Sequence, residues 1–197
     1  VLKKSSREVV EKLEEITQIN ERRYEVDKDT SYMASQAAKF ALADSSFTTE
    51  TIGGIIVAHN FGNIDKDSHQ GHMIPNLAAL VKHNLGIRNS RCFAFDVLYG
   101  CPGWLLALQQ AHQHIQTGAA KSVLVIGVES LSRVVNPSDV DAMLFGDGAG
   151  AVVLAAEESE EQRGVLAYDN FSDCLDEASM KLRRPLRPQM ILAPPRA

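Results

Sequence analysis

The sequence is poor in cysteine, and its three cysteines form no recognisable pattern. Cys92, Cys101 and Cys174 make an odd set without a C-x-x-C pair. A disulfide framework requires an even set of cysteines, and a cysteine-based zinc site requires closely paired ligands, so the sequence predicts neither. Sparse, reduced thiols are typical of the cytoplasm, which is the location that we expect.

The chain also lacks a surplus of basic residues and a long apolar segment. Its 20 Lys and Arg residues are outnumbered by 25 Asp and Glu residues, and the formal net charge is −5. Nucleic-acid-binding domains carry clustered positive charge, so we expect no nucleic-acid partner. No apolar run approaches the roughly 20 residues of a membrane-spanning helix. We therefore expect no membrane partner.

Histidine occurs six times, but without a metal-binding spacing. His69 and His72 share a predicted loop, and His112 and His114 lie two residues apart in a predicted helix. Neither pair has the i, i+4 spacing of the H-E-x-x-H zinc motif. The sequence therefore predicts no metal site.

Apolar periodicity predicts alternating helices and strands. Continuous apolar runs predict buried strands at 54–59 and 122–128. Further strands are predicted at 91–97, 151–155 and 164–171. Apolar residues at helical spacing predict helices at 5–15, 31–43, 75–85 and 102–117. Between the first strand and the third helix, residues 60–73 are predicted to form a long loop, a feature that is often functional. This order is typical of βαβ units in an α/β fold with a mainly parallel sheet covered by helices.

Cys101 stands between an apolar strand and a helix, at a turn that can make a thiol reactive. Proline suits the first position of a helix, so Pro102 predicts that Cys101 is the N-cap residue. The positive end of the helix dipole favours the thiolate, which is the nucleophilic form of cysteine. The setting resembles in its logic the nucleophile elbow of other enzymes. A lone cysteine in an apolar context is also commonly a small buried hydrophobic residue, and both interpretations stay open.

The glycine-rich segment at 146–150 does not match a nucleotide-binding motif. It precedes a predicted strand and lacks the G-x-G-x-x-G spacing, whereas a dinucleotide fingerprint follows a strand and opens a helix. We interpret it as a tight turn or a site of close backbone packing. Asp96 and Asp147 stand beside the two turns and can in principle serve as acid or base. Bonding of their side chains to the turn backbone is the favoured interpretation.

Three segments together resemble the thiolase-fold condensing enzymes, and in particular the β-ketoacyl-acyl-carrier-protein synthase III branch. They are residues 96–103, 118–133 and 144–154, and the resemblance extends over residues 10–172. It implies a thiolase-like layered α/β fold, with a mainly parallel mixed sheet flanked by helices, as one of the two pseudo-repeated halves of that family. We accordingly predict an N-terminal thiolase-like domain at 1–172. Residues 173–197 are predicted to be an irregular Pro- and Arg-rich tail or the start of a second half.

The resemblance also implies a function in fatty-acid or polyketide synthesis. In that family the matching cysteine accepts an acyl group from a coenzyme A or acyl-carrier-protein thioester, which gives Cys101 the role of catalytic nucleophile. Decarboxylative Claisen condensation with a malonyl thioester follows. The resemblance implies no cofactor besides these thioester substrates. It further implies a homodimer through the strand at 91–97, and a loop at 60–75 in which Ile74 binds substrate in the partner's acyl tunnel.

The sequence departs from the family pattern at several points. The family's second half supplies a His and an Asn for decarboxylation, and no His or Asn follows Asn170 here. The Trp and Arg that clasp the adenine of coenzyme A are replaced near Lys12 and Asp139, and Pro102 stands where a small residue is usual. Two classes of function therefore stay open. One is an acyltransferase, and the other is a non-catalytic thiolase-like partner subunit or scaffold.

Overall fold

A computed structural model describes residues 5–160 and 163–171 of the chain. Within them the α-helices are α1 (Ser6–Thr17), α2 (Thr30–Ala43), α3 (Leu77–Asn84) and α4 (Gly103–Gln116). The strands are β1 (Gly54–Ala58), β2 (Asn63–Ile64), β3 (Gly71–His72), β4 (Phe93–Val97), β5 (Ser122–Ser130) and β6 (Asp147–Ala155). None of the helices in this part of the chain has the length and apolarity needed to cross a membrane.

Four of the strands form one mixed sheet in the order β4-β1-β5-β6. β1 runs parallel to β4 and to β5, whereas β6 runs antiparallel to β5. β2 and β3 pair separately as a small antiparallel hairpin. The sheet confirms the predicted mainly parallel mixed sheet, and the hairpin shows that residues 60–73 are not only loop.

The two central strands supply the core on both faces of the sheet, because successive side chains of a strand point to opposite faces. Ile55 and Val57 of β1 join the cluster formed with α2 and α3. Ile56 and Ala58 of the same strand join the cluster formed with α4. All five residues of β1 are buried, as the continuous apolar run predicts. The sheet is thus covered by α2 and α3 on one face and by α4 on the other.

Side-chain caps define the start of two of the four α-helices. Ser5 and Glu8 form a capping box at the start of α1. The Asn76 side chain accepts the Ala79 N–H, so α3 begins after Asn76 and the predicted start at Pro75 is two residues early. Gly86 follows α3 with φ +69°, the left-handed conformation that its predicted role as a helix-ending glycine requires.

Two further predictions about local structure are wrong. Residues 147–150 are not a turn, because they pair with β5 from Ser130 opposite Asp147 to Gly127 opposite Gly150. Residues 164–171 form no strand. They lie along α4, where the Tyr168 hydroxyl accepts a hydrogen bond from the Gln113 amide at 3.2 Å. The predicted boundary between 1–172 and 173–197 lies outside the described residues.

Candidate active site

The carboxyl ends of the three parallel strands meet at one edge of the sheet, and polar residues follow each of them. His59 and Asn60 follow β1, the turn with Cys101 follows β4, and Glu129 lies near the end of β5. A cleft of about 380 Å³ opens at this edge, and these residues line it together with Trp104. Ligands of open α/β sheets bind at this edge, so the cleft is the candidate active site.

Cys101 lies at the mouth of the cleft with an exposed side chain. The turn around it is closed by the Gly103 N–H, which donates to the Gly100 carbonyl at 3.0 Å. Pro102 is itself the N-cap of α4, with φ −66° and ψ −10°, so Cys101 precedes the N-cap by one residue. The prediction that Cys101 is the N-cap residue is thus wrong by one residue, because α4 begins at Gly103 and Pro102 occupies the N-cap position.

The second described cysteine shows what a structural thiol looks like in this fold. Cys92 is only 2% exposed and packs in the core with α2 and α3. Burial raises the pKa of the Cys92 thiol, because the apolar surroundings disfavour the charged form. The buried-hydrophobic interpretation therefore applies to Cys92 and is wrong for Cys101. Cys174 lies outside the described residues.

Asn60 and Glu129 connect two strand ends to the turn that carries Cys101. Glu129 Oε2 accepts hydrogen bonds from the Asn60 backbone N–H at 2.9 Å and from Asn60 Nδ2 at 2.7 Å. Asn60 Oδ1 in turn accepts the Gly100 N–H at 3.1 Å. Gly100 has φ +62°, a conformation that favours glycine. The backbone immediately before Cys101 is thereby tied to the ends of β1 and β5.

His59 lines the cleft, but both of its ring nitrogens are already bonded. Nδ1 accepts the Gly62 N–H at 3.0 Å, so Nε2 carries the ring proton and donates to Asp96 Oδ2 at 2.7 Å. The His59 side chain is fully buried. In this arrangement His59 has no free nitrogen with which to take a proton from Cys101. The residue is a structural part of the cleft wall.

Asp96 and Asp147 both bond to backbone groups, but these belong to other segments and not to the neighbouring turns as predicted. Besides His59, Asp96 accepts the Leu77 N–H on Oδ2 and the Ala78 N–H on Oδ1, each at 2.8 Å. It therefore accepts from two buried N–H groups at the start of α3 that have no partner within the helix. Asp147 accepts the backbone N–H groups of Ser132 and Glu25 at 2.9 Å and 3.0 Å.

Trp104 forms an apolar wall of the cleft, and a glycine makes room for it. A Cβ atom built at Gly127 of β5 would lie 2.8 Å from Cδ1 of the indole, so only glycine admits the ring in this position. The glycines of β6 have no such reason within this part of the chain. No heavy atom of the described residues lies within 4 Å of a Cβ built at Gly148 or Gly150. For these two glycines, close backbone packing is not observed.

Ile74, the predicted substrate-binding residue, lies away from the cleft. It follows β3 and its side chain is 90% exposed. The structure thus separates the two residues to which the sequence assigns a site role, and brings His59, Asn60 and Glu129 to Cys101 instead. Among the described residues, no group of three or more His, Cys, Asp and Glu side chains is placed to hold a metal ion.

Known proteins match both the sequence and the fold. The family model of 3-oxoacyl-(acyl-carrier-protein) synthase III matches residues 95–174, which include Cys101 and Glu129. The chain is 40% identical to β-ketoacyl-acyl-carrier-protein synthase III of Ruegeria pomeroyi over 148 residues, which are 73% of this chain and 43% of that protein. The chain thus spans less than half the length of this curated relative.

Solved structures show the same relationship in three dimensions. The 3-oxoacyl-(acyl-carrier-protein) synthase III of Aquifex aeolicus superposes with a TM-score of 0.65 at 38% identity, over 73% of this chain and 44% of that one. OleA of Xanthomonas campestris, solved with bound lauric acid and lauroyl-CoA, superposes with a TM-score of 0.60 at 26% identity, over 73% of this chain and 45% of that one. By sequence and by fold, the chain matches the N-terminal part of the synthase III-like branch of the thiolase-fold condensing enzymes.

Proposed function

We propose that the protein to which this chain belongs is an acyltransferase of the synthase III type, with Cys101 as the residue that accepts the acyl group. The observation that carries the proposal is an exposed thiol at the mouth of a cleft, one residue before the N-cap of a helix. The names of the relatives support an acyl-carrier-protein substrate. The lauroyl-CoA complex of OleA supports a coenzyme A thioester as the acyl donor.

The loading step balances without any cofactor. The Cys101 thiol loses its proton to solvent, and the thiolate Sγ attacks the carbonyl carbon of the donor thioester. The tetrahedral adduct collapses, the bond to the donor sulfur breaks, and the released thiolate takes up a proton. Among the described residues no acceptor is bonded to the Cys101 N–H, which supports its assignment as a donor to the oxyanion.

Condensation of the loaded acyl group with a malonyl thioester is proposed for the whole protein. His59 is the only histidine that lines the described part of the cleft, and both of its nitrogens are bonded. This segment therefore presents a nucleophile without a free imidazole to promote decarboxylation. We assign that group to the remainder of the protein. We further propose that the protein acts in fatty-acid or polyketide synthesis in the cytoplasm.

The outer edge of β4 supports a homodimer. β4 is the terminal strand of the sheet, and all five of its residues are only partly buried. Leu98 and Tyr99, which follow it, are exposed apolar side chains. Unpaired strand edges readily add a strand from another chain. In such a dimer the exposed Ile74 is proposed to enter the partner's acyl-binding region.

Intact-mass measurement after incubation with an acyl-CoA or an acyl-carrier-protein tests the loading step. We expect one acyl adduct on the native chain and on Cys92→Ala, and none on Cys101→Ala. Cys92→Ala is the matched control, because it removes a described thiol that lies in the core. An adduct that persists in Cys101→Ala would overturn the assignment of the nucleophile. Absence of any adduct on the native protein would favour a non-catalytic partner subunit.

A further inference from the structure

We propose that Asn60 and Glu129 are positioning residues for the nucleophile, because Glu129 orients the Asn60 amide and Asn60 holds the peptide before Cys101. This inference rests on the proposed function, since it explains how the acyl-accepting thiol is placed. Neither residue is proposed to touch substrate. Both act on Cys101 through the Gly100 N–H.

The geometry of the three groups forms a directed chain of hydrogen bonds. Asn60 and Glu129 are 69 residues apart, and Asn60 and Gly100 are 40 residues apart. The contacts therefore join the ends of three neighbouring strands and are not products of a local turn. The Gly100 N–H donates to the Asn60 side chain, and this hydrogen bond connects the turn to the end of β1.

The chemistry of Glu129 determines which way the Asn60 amide faces. An ionised carboxylate only accepts hydrogen bonds, so the Asn60 NH₂ group must point towards Glu129. The amide oxygen is then on the opposite side, where the Gly100 N–H donates to it. A flipped amide would place two donors opposite each other at Gly100. The acceptor at position 129 thus selects the orientation that holds the turn.

The burial of Glu129 is hard to explain by stability alone. Both of its hydrogen bonds are made by Oε2, whereas Oε1 is buried without a partner among the described residues. Burial raises the pKa of Glu129, while the bonds from Asn60 and the nearby His59 oppose the rise. A buried carboxyl that uses one oxygen only costs folding free energy. Its observed contacts serve to orient Asn60, which is the role that we assign to it.

The first test compares Glu129→Leu with Glu129→Gln. Leucine removes the acceptor, whereas glutamine keeps a carbonyl oxygen for the two Asn60 donors. Hydrogen exchange of the Gly100 amide, measured by NMR, reports the bond directly and needs no acyl donor. We expect exchange about tenfold faster in Glu129→Leu and within about threefold of native in Glu129→Gln. Equal exchange in native protein and Glu129→Leu would overturn the proposal.

The second test reverses the direction of the bond. In Asn60→Asp two carboxyl groups face each other and can share one proton at low pH, whereas at high pH they repel. The other titratable groups at this site are His59 and Cys101. Two quantities are compared between Asn60→Asp and the native protein: the protection of the Gly100 amide from hydrogen exchange and the rate of Cys101 acylation. We expect both, relative to native, to fall by about tenfold as the pH rises. When Asn60→Asp is combined with Glu129→Gln, the new side-chain amide at position 129 can donate to the new carboxylate at position 60.

The double variant should therefore recover most of the protection of the Gly100 amide and of the acylation rate at all pH values, although the backbone N–H of residue 60 loses its acceptor Oε2. A loss in Asn60→Asp that is independent of pH, or that the double variant does not recover, would mean a merely structural role. Iodoacetamide labelling of Cys101 distinguishes this result from failure of the proposed function. If native Cys101 is alkylated but never acylated, the proposed function fails. Hydrogen exchange of the Gly100 amide then still decides whether Glu129 and Asn60 hold the turn before Cys101.

Discussion

Two carboxyl groups lie at the same edge of the sheet, and they are used in different ways. Asp96 at the end of β4 accepts hydrogen bonds on both oxygens, from His59, Leu77 and Ala78. Glu129 near the end of β5 accepts both of its bonds on one oxygen and leaves the other buried and unpartnered among the described residues. Both oxygens of Asp96 thus accept hydrogen bonds, whereas only one oxygen of Glu129 does so.

The difference separates anchoring from positioning. Asp96 joins β4, the end of β1 and the first turn of α3, so its bonds hold three elements of the fold together. Among the described residues Glu129 Oε2 bonds to Asn60, and through Asn60 it reaches the turn of Cys101. We therefore expect changes at Asp96 to reduce stability first, and changes at Glu129 to act on the cleft first.

Asp96→Asn should have the largest effect on stability. The substitution replaces one acceptor oxygen by an NH₂ group, which must then face an N–H of Leu77, Ala78 or His59. A buried donor without an acceptor is costly, so we expect a loss on the order of 3 kcal/mol in the free energy of unfolding. Urea denaturation followed by circular dichroism measures it.

Asp67→Asn is the matched control for this change. Asp67 is an exposed carboxylate paired only with Lys66 in the described structure, and water screens exposed ion pairs so that they contribute little to stability. A loss at Asp96 no greater than the loss at Asp67 would remove the distinction between an anchoring and a positioning carboxyl.

Much of this fold could be predicted from apolar pattern. The runs at 54–59 and 122–128 predict the central strands because both faces of β1 and most of β5 are buried. The glycines at 148 and 150 misled the prediction of a turn, because local propensity favours turns while pairing with β5 holds them in a strand. The prediction of a strand at 164–171 is wrong because this segment lies along α4 and its side chains bond to that helix, so it does not join a sheet edge.

The site could be predicted only in part. Cys101 was recognisable because a strand, Pro102 and a helical pattern follow one another in the chain. His59, Asn60 and Glu129 were overlooked, although each stands at the end of a predicted parallel strand and such ends share one edge of a sheet. Which of them bonds to which depends on strand order and register. Pairing across 69 residues is not visible in local sequence.

His59 offers an intermediate test of the contrast, because its two nitrogens serve different partners. In His59→Gln the side-chain amide can still donate to Asp96, but the acceptor for the Gly62 N–H is lost. In His59→Asn the acceptor near Gly62 is kept, but the donor to Asp96 is lost. We expect His59→Gln to cost about 1 kcal/mol less than His59→Asn, because hydrogen bonds to a charged group are the stronger ones.

Thermal unfolding of the two variants provides the comparison, and the similar loss of ring packing in both largely cancels in the difference. Equal stabilities, or a more stable His59→Asn, would show that the bond to Asp96 is not the stronger of the two. The hydrogen bonds on both oxygens of Asp96 would then not explain the stability of this edge of the sheet.

Glu129→Gln should have the smallest effect on stability, and the size of that effect should depend on pH. Burial raises the pKa of Glu129 in the folded chain above its ordinary value of 4.5, so the unfolded chain loses this proton first as the pH rises. The native state therefore loses stability between pH 4.5 and the raised folded value, and that loss persists at higher pH. Glutamine has no proton to lose. Relative to native, Glu129→Gln should thus be more stable at about pH 7 than at about pH 4, in urea titrations at both pH values. The same difference at both pH values would mean that burial does not raise the pKa of Glu129, and the cost that distinguishes this carboxyl would disappear.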